Sequence, residues 1–91
     1  MKKFVSITIS DSRFIDNSIP DLSGDKIIEI LSNSNLVLYD KRIIPDEEDN
    51  ISKTLKFYLN QTEVDFIVTT GGTGVSVRDI TPEITRKFIE K

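Results

Sequence analysis

Apolar and polar residues follow two different periods along this chain. In Phe4 to Ser10 (FVSITIS) they alternate, so that Val5, Ile7 and Ile9 share one face of an extended segment. With its β-branched residues this run predicts a strand. Residues 11–23 lose the alternation, carry Pro20 and several Ser and Asp, and read as a loop. From about Gly24 to Ser34 the spacing becomes helical, with Ile27, Ile28, Ile30 and Leu31 as the apolar stripe. Ser23 stands where a cap is needed, and Ser32-Asn33-Ser34-Asn35 supplies turn chemistry at the end. Leu36 to Ile44 is a second strand, stopped by Pro45. The acidic run Asp46 to Asn50 suits the start of a helix that reaches about Gln61 and points Ile51, Leu55, Tyr58 and Leu59 inward. Val64 to Thr70 (VDFIVTT) is a third, almost wholly apolar strand of the kind buried on both faces. Gly71 to Ile80 reads as a glycine-rich loop. Thr81-Pro82-Glu83 opens a last helix, with Thr as cap, Pro in the first turn and Ile84, Phe88 and Ile89 on its apolar face.

The order β-α-β-α-β-α predicts a three-layer α/β/α domain with a mostly parallel sheet, one domain over residues 1–91 without repeat or linker. The last helix is still in pattern at Lys91, and three strands leave long edges. The expectation is that further polypeptide or neighbouring subunits complete the domain, with a piece of a longer chain favoured.

Composition narrows the chemistry. A chain of 91 residues suits one small domain. A net charge of −3 argues against a nucleic-acid binder, which would show a basic face. The chain has no Cys and no His, which excludes thiolate and imidazole metal sites and the Ser-His-Asp triad. What remains is carboxylates, hydroxyls, Lys and Arg, backbone amides and a bound cation. No apolar run approaches the roughly 20 residues that span a bilayer. Met1-Lys2-Lys3 is not followed by a signal-peptide pattern, so a cytoplasmic protein without membrane partners is expected.

In open α/β sheets ligands sit beyond the carboxyl ends of the strands. Ser10-Asp11-Ser12, Pro45-Asp46-Glu47-Glu48 and Thr69 to Asp79 fall there. Thr69-Thr70-Gly71-Gly72-Thr73-Gly74 brings three glycines and hydroxyl donors together. It suits an oxyanion cradle and equally suits a flexible turn, and it is neither a P-loop nor GxGxxG. Asp46 and Asp79 form the second candidate, two carboxylates able to converge on Mg²⁺ beside a phosphate. Against that, Asp46 suits a helix cap and Asp79 an ion pair with Arg78. Glu47, Glu48 and Asp49 read as a solvated first turn, Arg13 as a ligand contact or part of a turn, and Phe57, Phe66 and Phe88 as core.

ISDS (Ile9 to Ser12), DLSG (Asp21 to Gly24), IIPDE (Ile43 to Glu47) and TTGGTGVSVRDITPE (Thr69 to Glu83), in this order and spacing, resemble the molybdenum-cofactor biosynthesis proteins of the MogA/MoaB type, the molybdopterin adenylyltransferases. The likeness covers essentially the whole chain. It is to the N-terminal portion of that family, whose members continue with further segments. The resemblance implies binding of molybdopterin and Mg²⁺-ATP, transfer of AMP to the terminal phosphate of the pterin, and a trimer or a hexamer. It implies Asp46 and Asp79 as catalytic, Mg²⁺-linked carboxylates. Thr70, Gly71, Gly72, Thr73 and Gly74 become the ligand cradle, with Ser10 and Asp11 on the same rim. Two rival readings are a non-catalytic carrier of molybdopterin, or of the related tungsten-cofactor pterin, and a structural or regulatory relative of the same fold.

Overall fold

The computed structural model describes residues 1–71 and 74–80. The last helix expected from Thr81, with Phe88, lies outside the described residues, as do Gly72 and Thr73. The elements run β1 (Lys3–Ile9), α1 (Asp11–Ile15), α2 (Leu22–Asn33), β2 (Val37–Ile44), α3 (Glu48–Leu59), β3 (Phe66–Gly71) and β4 (Gly74–Asp79). The sheet order is β2-β1-β3-β4. β1 lies parallel to both β2 and β3, and β4 is antiparallel to β3. The mostly parallel α/β fold expected from the pattern is therefore present.

Two segments differ from expectation. Residues 11–15, expected in a loop, form the single-turn helix α1, because the Ser10 Oγ accepts the Arg13 N–H at 3.3 Å and starts it. Residues 74–79, expected in a glycine-rich loop, form β4. Val75 and Val77 alternate with Ser76 and Arg78, a strand pattern of period two that the adjoining glycines concealed. Gly74, at φ 117°, takes a backbone conformation that a side chain would disfavour; nothing crowds the place its Cβ would fill.

Alternation along β1 divides the sheet into two faces. Val5 and Ile7 join Ile44, Tyr58, Val64, Ile67 and Ile80 in one buried apolar cluster, against which Ile51, Leu55 and Leu59 of α3 pack. The other face carries Phe4, Ser6 and Thr8 from β1 and Val68 and Thr70 from β3, all buried. α2 covers that face: an added Cβ at Gly24 would lie 2.8 Å from the Thr8 Oγ1. The Ser6 Oγ is buried and has no hydrogen-bond partner among the described residues. Phe57, expected in the core, is 50% exposed; its ring meets Tyr58 edge-on and lies under the Arg42 guanidinium.

Candidate ligand site at the carboxyl ends of the strands

Because β1, β2 and β3 are parallel, their carboxyl ends share one edge. The registers Ile9 with Ile44 and Thr8 with Thr70 bring three connections side by side. Two hydrogen bonds tie the first two connections together. The Ser10 N–H donates to the Ile44 carbonyl at 2.9 Å, and the Asp46 N–H donates to the Asp11 carboxylate at 2.8 Å. A cleft of about 330 Å³ opens over this rim, within the lower range of small-molecule sites. Ser10, Asp11, Asp46, Thr70 and Gly71 all line it, as does Arg13. A second hollow of about 230 Å³, lined also by Gly74 and Ser76, shares Asp46, Thr70 and Gly71 with the first. Gly71 is held close against β1, where an added Cβ would stand 3.3 Å from the Ile9 carbonyl oxygen.

Asp46 does not cap a helix. The cap position of α3 is Glu47, and no side chain makes a capping bond there. The exposed Asp46 carboxylate therefore stands at the cleft, as the ligand reading requires. Asp79 does not converge with it. In the β3–β4 register Asp79 lies opposite Phe66, five residues before Gly71, or about 16 Å along the strand at ~3.3 Å per residue. Both motifs suggested strand ends, but β4 runs away from the rim and carries Asp79 to the opposite edge of the sheet. Arg78, adjacent on the strand, points to the other face of β4 from Asp79. Gly72 and Thr73 of the expected cradle lie outside the described residues.

Asp46 and Asp11 both line the cleft, and the Asp46 backbone N–H bonds the Asp11 carboxylate. Among the described residues no group of three or more acidic side chains could hold a metal ion. The fit is thus to a cation carried chiefly by ligand phosphates and water, which is how Mg²⁺ is commonly held, with one or two protein carboxylates completing the shell. Arg13 supplies positive charge at the cleft, its guanidinium aimed by the Pro20 carbonyl at 2.8 Å and the Ser10 Oγ at 3.5 Å.

The floor of the cleft holds a residue that the sequence reading passed over. Asp21, 5% exposed, is the cap of α2 in place of Ser23. Its Oδ1 accepts the Gly24 N–H at 3.2 Å, and its Oδ2 accepts the Thr8 hydroxyl at 2.6 Å. The Thr70 hydroxyl donates in turn to the Thr8 Oγ1 at 3.2 Å. The Lys41 ammonium lies 3.7 Å from Asp21 and 2.9 Å from Asp25. The hydrogen bond to Asp25, with the charges of Asp25 and Asp21, holds the ammonium above its usual pKa despite partial desolvation. Gly24 is forced by this seam, since a Cβ there would come within 2.2 Å of the Asp21 Oδ2. The available signal was DLSG: an Asp three residues before a Gly has the spacing of a cap whose oxygen takes the third helical N–H.

Comparison with known proteins places these features in a family. The family described as the probable molybdopterin binding domain matches residues 6–91. The chain is 45% identical over 73 residues to the molybdopterin adenylyltransferase of Helicobacter pylori, covering 78% of this chain and 42% of that protein. It is 37% identical over 93 residues to a probable molybdopterin adenylyltransferase of Methanocaldococcus jannaschii, covering 98% and 54%. Among solved structures, a molybdopterin biosynthesis enzyme MoaB from Thermus thermophilus superposes with a TM-score of 0.72 at 33% identity, covering 96% of this chain and 54% of that one. The chain thus spans about half the length of these relatives.

Proposed function

This chain belongs to the family of probable molybdopterin binding domains, and on that premise we propose that it serves molybdenum cofactor biosynthesis by binding molybdopterin and transferring AMP from Mg²⁺-ATP to the pterin's terminal phosphate. The observation that carries the proposal is the gathering of Asp46, Asp11, Arg13, Thr70 and Gly71 around one cleft at the carboxyl edge of the sheet. The names of the relatives support the reaction class.

Adenylyl transfer asks little covalent chemistry of a protein. A terminal phosphate oxygen of the pterin attacks the α-phosphorus of ATP, and pyrophosphate leaves with the bonding electrons. Alignment and charge neutralisation carry most of the rate. A site without His or Cys can provide both. Arg13 faces the phosphates as a fixed cation. Gly71 lets the chain approach them closely, and the hydrogen bond from the Asp46 N–H to Asp11 fixes the two acidic connections relative to one another. Mg²⁺, when bound, would neutralise phosphate charge, and Asp46 and Asp11 are the carboxylates that would hold it. Asp79 retains only its motif as support, since the strand register sets it at the far edge. That separation favours a second reading, a carrier that binds molybdopterin without turning over ATP. The outer edges of β2 and β4, and the exposed Val75 and Val77, suit assembly into a trimer or hexamer, which we include in the proposal.

The test is transfer of label from α-labelled ATP to molybdopterin. The proposal expects transfer, and a loss of about 100-fold or more in Asp46→Asn with Asp79→Asn much less affected. An equal loss in Asp79→Asn would restore the carboxylate pair that the resemblance implies and contradict the register. Pterin binding without transfer would establish the carrier reading. Binding of neither substrate would remove both.

A further inference from the structure

The seam beneath the cleft fixes the direction of its hydroxyl protons, and with it the kind of ligand atom the cleft accepts. Asp21 is surrounded by donors: the Gly24 N–H on Oδ1, the Thr8 hydroxyl on Oδ2 and the Lys41 ammonium beyond. A carboxylate so placed only accepts. The single proton of Thr8 is therefore committed to Asp21, and towards Thr70 the Thr8 oxygen has only lone pairs to offer. Thr70 must then spend its own proton on Thr8, as the 3.2 Å contact indicates. What Thr70 has left for the cleft is lone pairs. The threonine that composition marks as a phosphate donor is, in its place, an acceptor.

We propose that Thr70, with its hydroxyl turned by the Asp21–Thr8 relay, recognises an N–H donor of the ligand, an amino group on a heteroaromatic ring, and that phosphate oxygens are bound elsewhere on the rim. The proposal deepens the function proposed above and rests on it, since both substrates of that reaction carry such an amino group, on the adenine ring and on the pterin ring. Phosphate falls to Arg13 and the cation held by the carboxylates, which lie on the Ser10–Asp11 and Asp46 side of the cleft. Asp21 is a positioning residue: it acts on the ligand through two hydroxyls.

Replacement of one atom in the relay should reverse it. In Asp21→Asn the Gly24 N–H still requires an acceptor, so the amide oxygen takes the Oδ1 place and the amide NH₂ takes the Oδ2 place facing Thr8. The NH₂ donates to Thr8, the Thr8 proton turns to Thr70, and the Thr70 proton turns into the cleft. The site then prefers a carbonyl oxygen where it had preferred an amino group. A Lys41 ammonium beside an NH₂ is unfavourable, but Lys41 keeps Asp25 at 2.9 Å.

The experiment measures equilibrium binding of two probe pairs to the full chain. One pair is ATP and ITP; the other is pterin and lumazine. In each, an amino group is exchanged for an oxo oxygen, and the pair that responds identifies the ring that Thr70 reads. The parent protein should prefer the amino member of one pair by roughly tenfold, the worth of one well-made hydrogen bond against an unmet acceptor. Thr70→Ser should keep the preference, Thr70→Val should abolish it, and Asp21→Asn should invert it. A role in folding alone would weaken both members of a pair together and leave their ratio unchanged. An unaltered ratio in Thr70→Val, or no preference in either pair, overturns the inference while leaving adenylyl transfer standing. Failure of all four probes to bind would overturn it together with the proposed function.

Discussion

The two faces of the sheet are made by the same strands and do different work. On the α3 face, Val5, Ile7, Ile67 and Val64 meet Tyr58 and the aliphatic residues of α3 in a dry cluster. On the α2 face, Ser6, Thr8 and Thr70 are equally buried, but Thr8 bonds the Asp21 carboxylate and accepts from Thr70. A strand turns successive residues to opposite sides, so β1 sends Val5 and Ile7 into the apolar cluster and turns Thr8 to the cleft. Burial alone does not separate the two roles. Hydrogen-bond partners do.

The largest effect should come from breaking the dry face. Ile7→Ala removes a side chain that is 1% exposed from the middle of the cluster and should cost about 2–5 kcal/mol in urea unfolding. Its effect on ligand preference should follow only from the fraction unfolded. On the polar face, Thr8→Val keeps shape and removes the hydroxyl. Asp21 then loses a donor and Thr70 an acceptor, at about 1–3 kcal/mol, and the amino-over-oxo preference should disappear with it.

The α3 face also holds a polar contact, between Tyr58 and Asp40, and pH should sharpen the contrast there. Burial, with the hydrogen bond to Asp40, pushes the Tyr58 hydroxyl up to about 12 from an ordinary value near 10.0. A proton held more tightly in the folded state stabilises that state at pH below the unfolded value. That contribution is complete below about pH 10 and is lost as pH climbs towards 12. Tyr58→Phe should cost about 1 kcal/mol at neutral pH and flatten the decline between those limits. An unchanged alkaline decline would show that Tyr58 is not its source. The smallest effect should be at Ser6, whose buried hydroxyl has no partner among the described residues. Ser6→Ala should be neutral or stabilise by up to about 1 kcal/mol. A loss as large as that of Thr8→Val would mean that the bonded and the orphaned hydroxyl are not different in kind.

How far the sequence disclosed this arrangement varied with the range of the interaction. β1 and β3 were legible from β-branched residues, and α2 and α3 from helical spacing, because each pattern is local. β4 is hidden because Gly74 and the preceding TTGG read as a loop, although Val75 and Val77 carry the alternation of a strand. Asp46 is legible at the strand end because Pro45 closes β2 just before it, and it lines the cleft. Asp79 was misplaced because its position depends on which strand β4 pairs with and in which direction, and no local spacing encodes that. Asp21 was overlooked for a related reason. Ser23 and Asp21 are both acceptable caps, and the choice is made by Gly24 and by Thr8, 13 residues away in sequence. The resemblance through DLSG and TTGGTGVSVRDITPE pointed to the family without revealing which of those residues face one another.

The central claim is that ligands enter at the carboxyl edge of β1, β2 and β3, over the polar face. The most direct measurement is backbone amide chemical-shift mapping during titration with Mg²⁺-ATP and then with molybdopterin. The account predicts shifts concentrated at Ser10, Asp11, Asp46, Thr70 and Gly71, with Phe66 and Asp79 at the opposite edge nearly unmoved. Shifts centred on Phe66 and Asp79, with the rim silent, would contradict it.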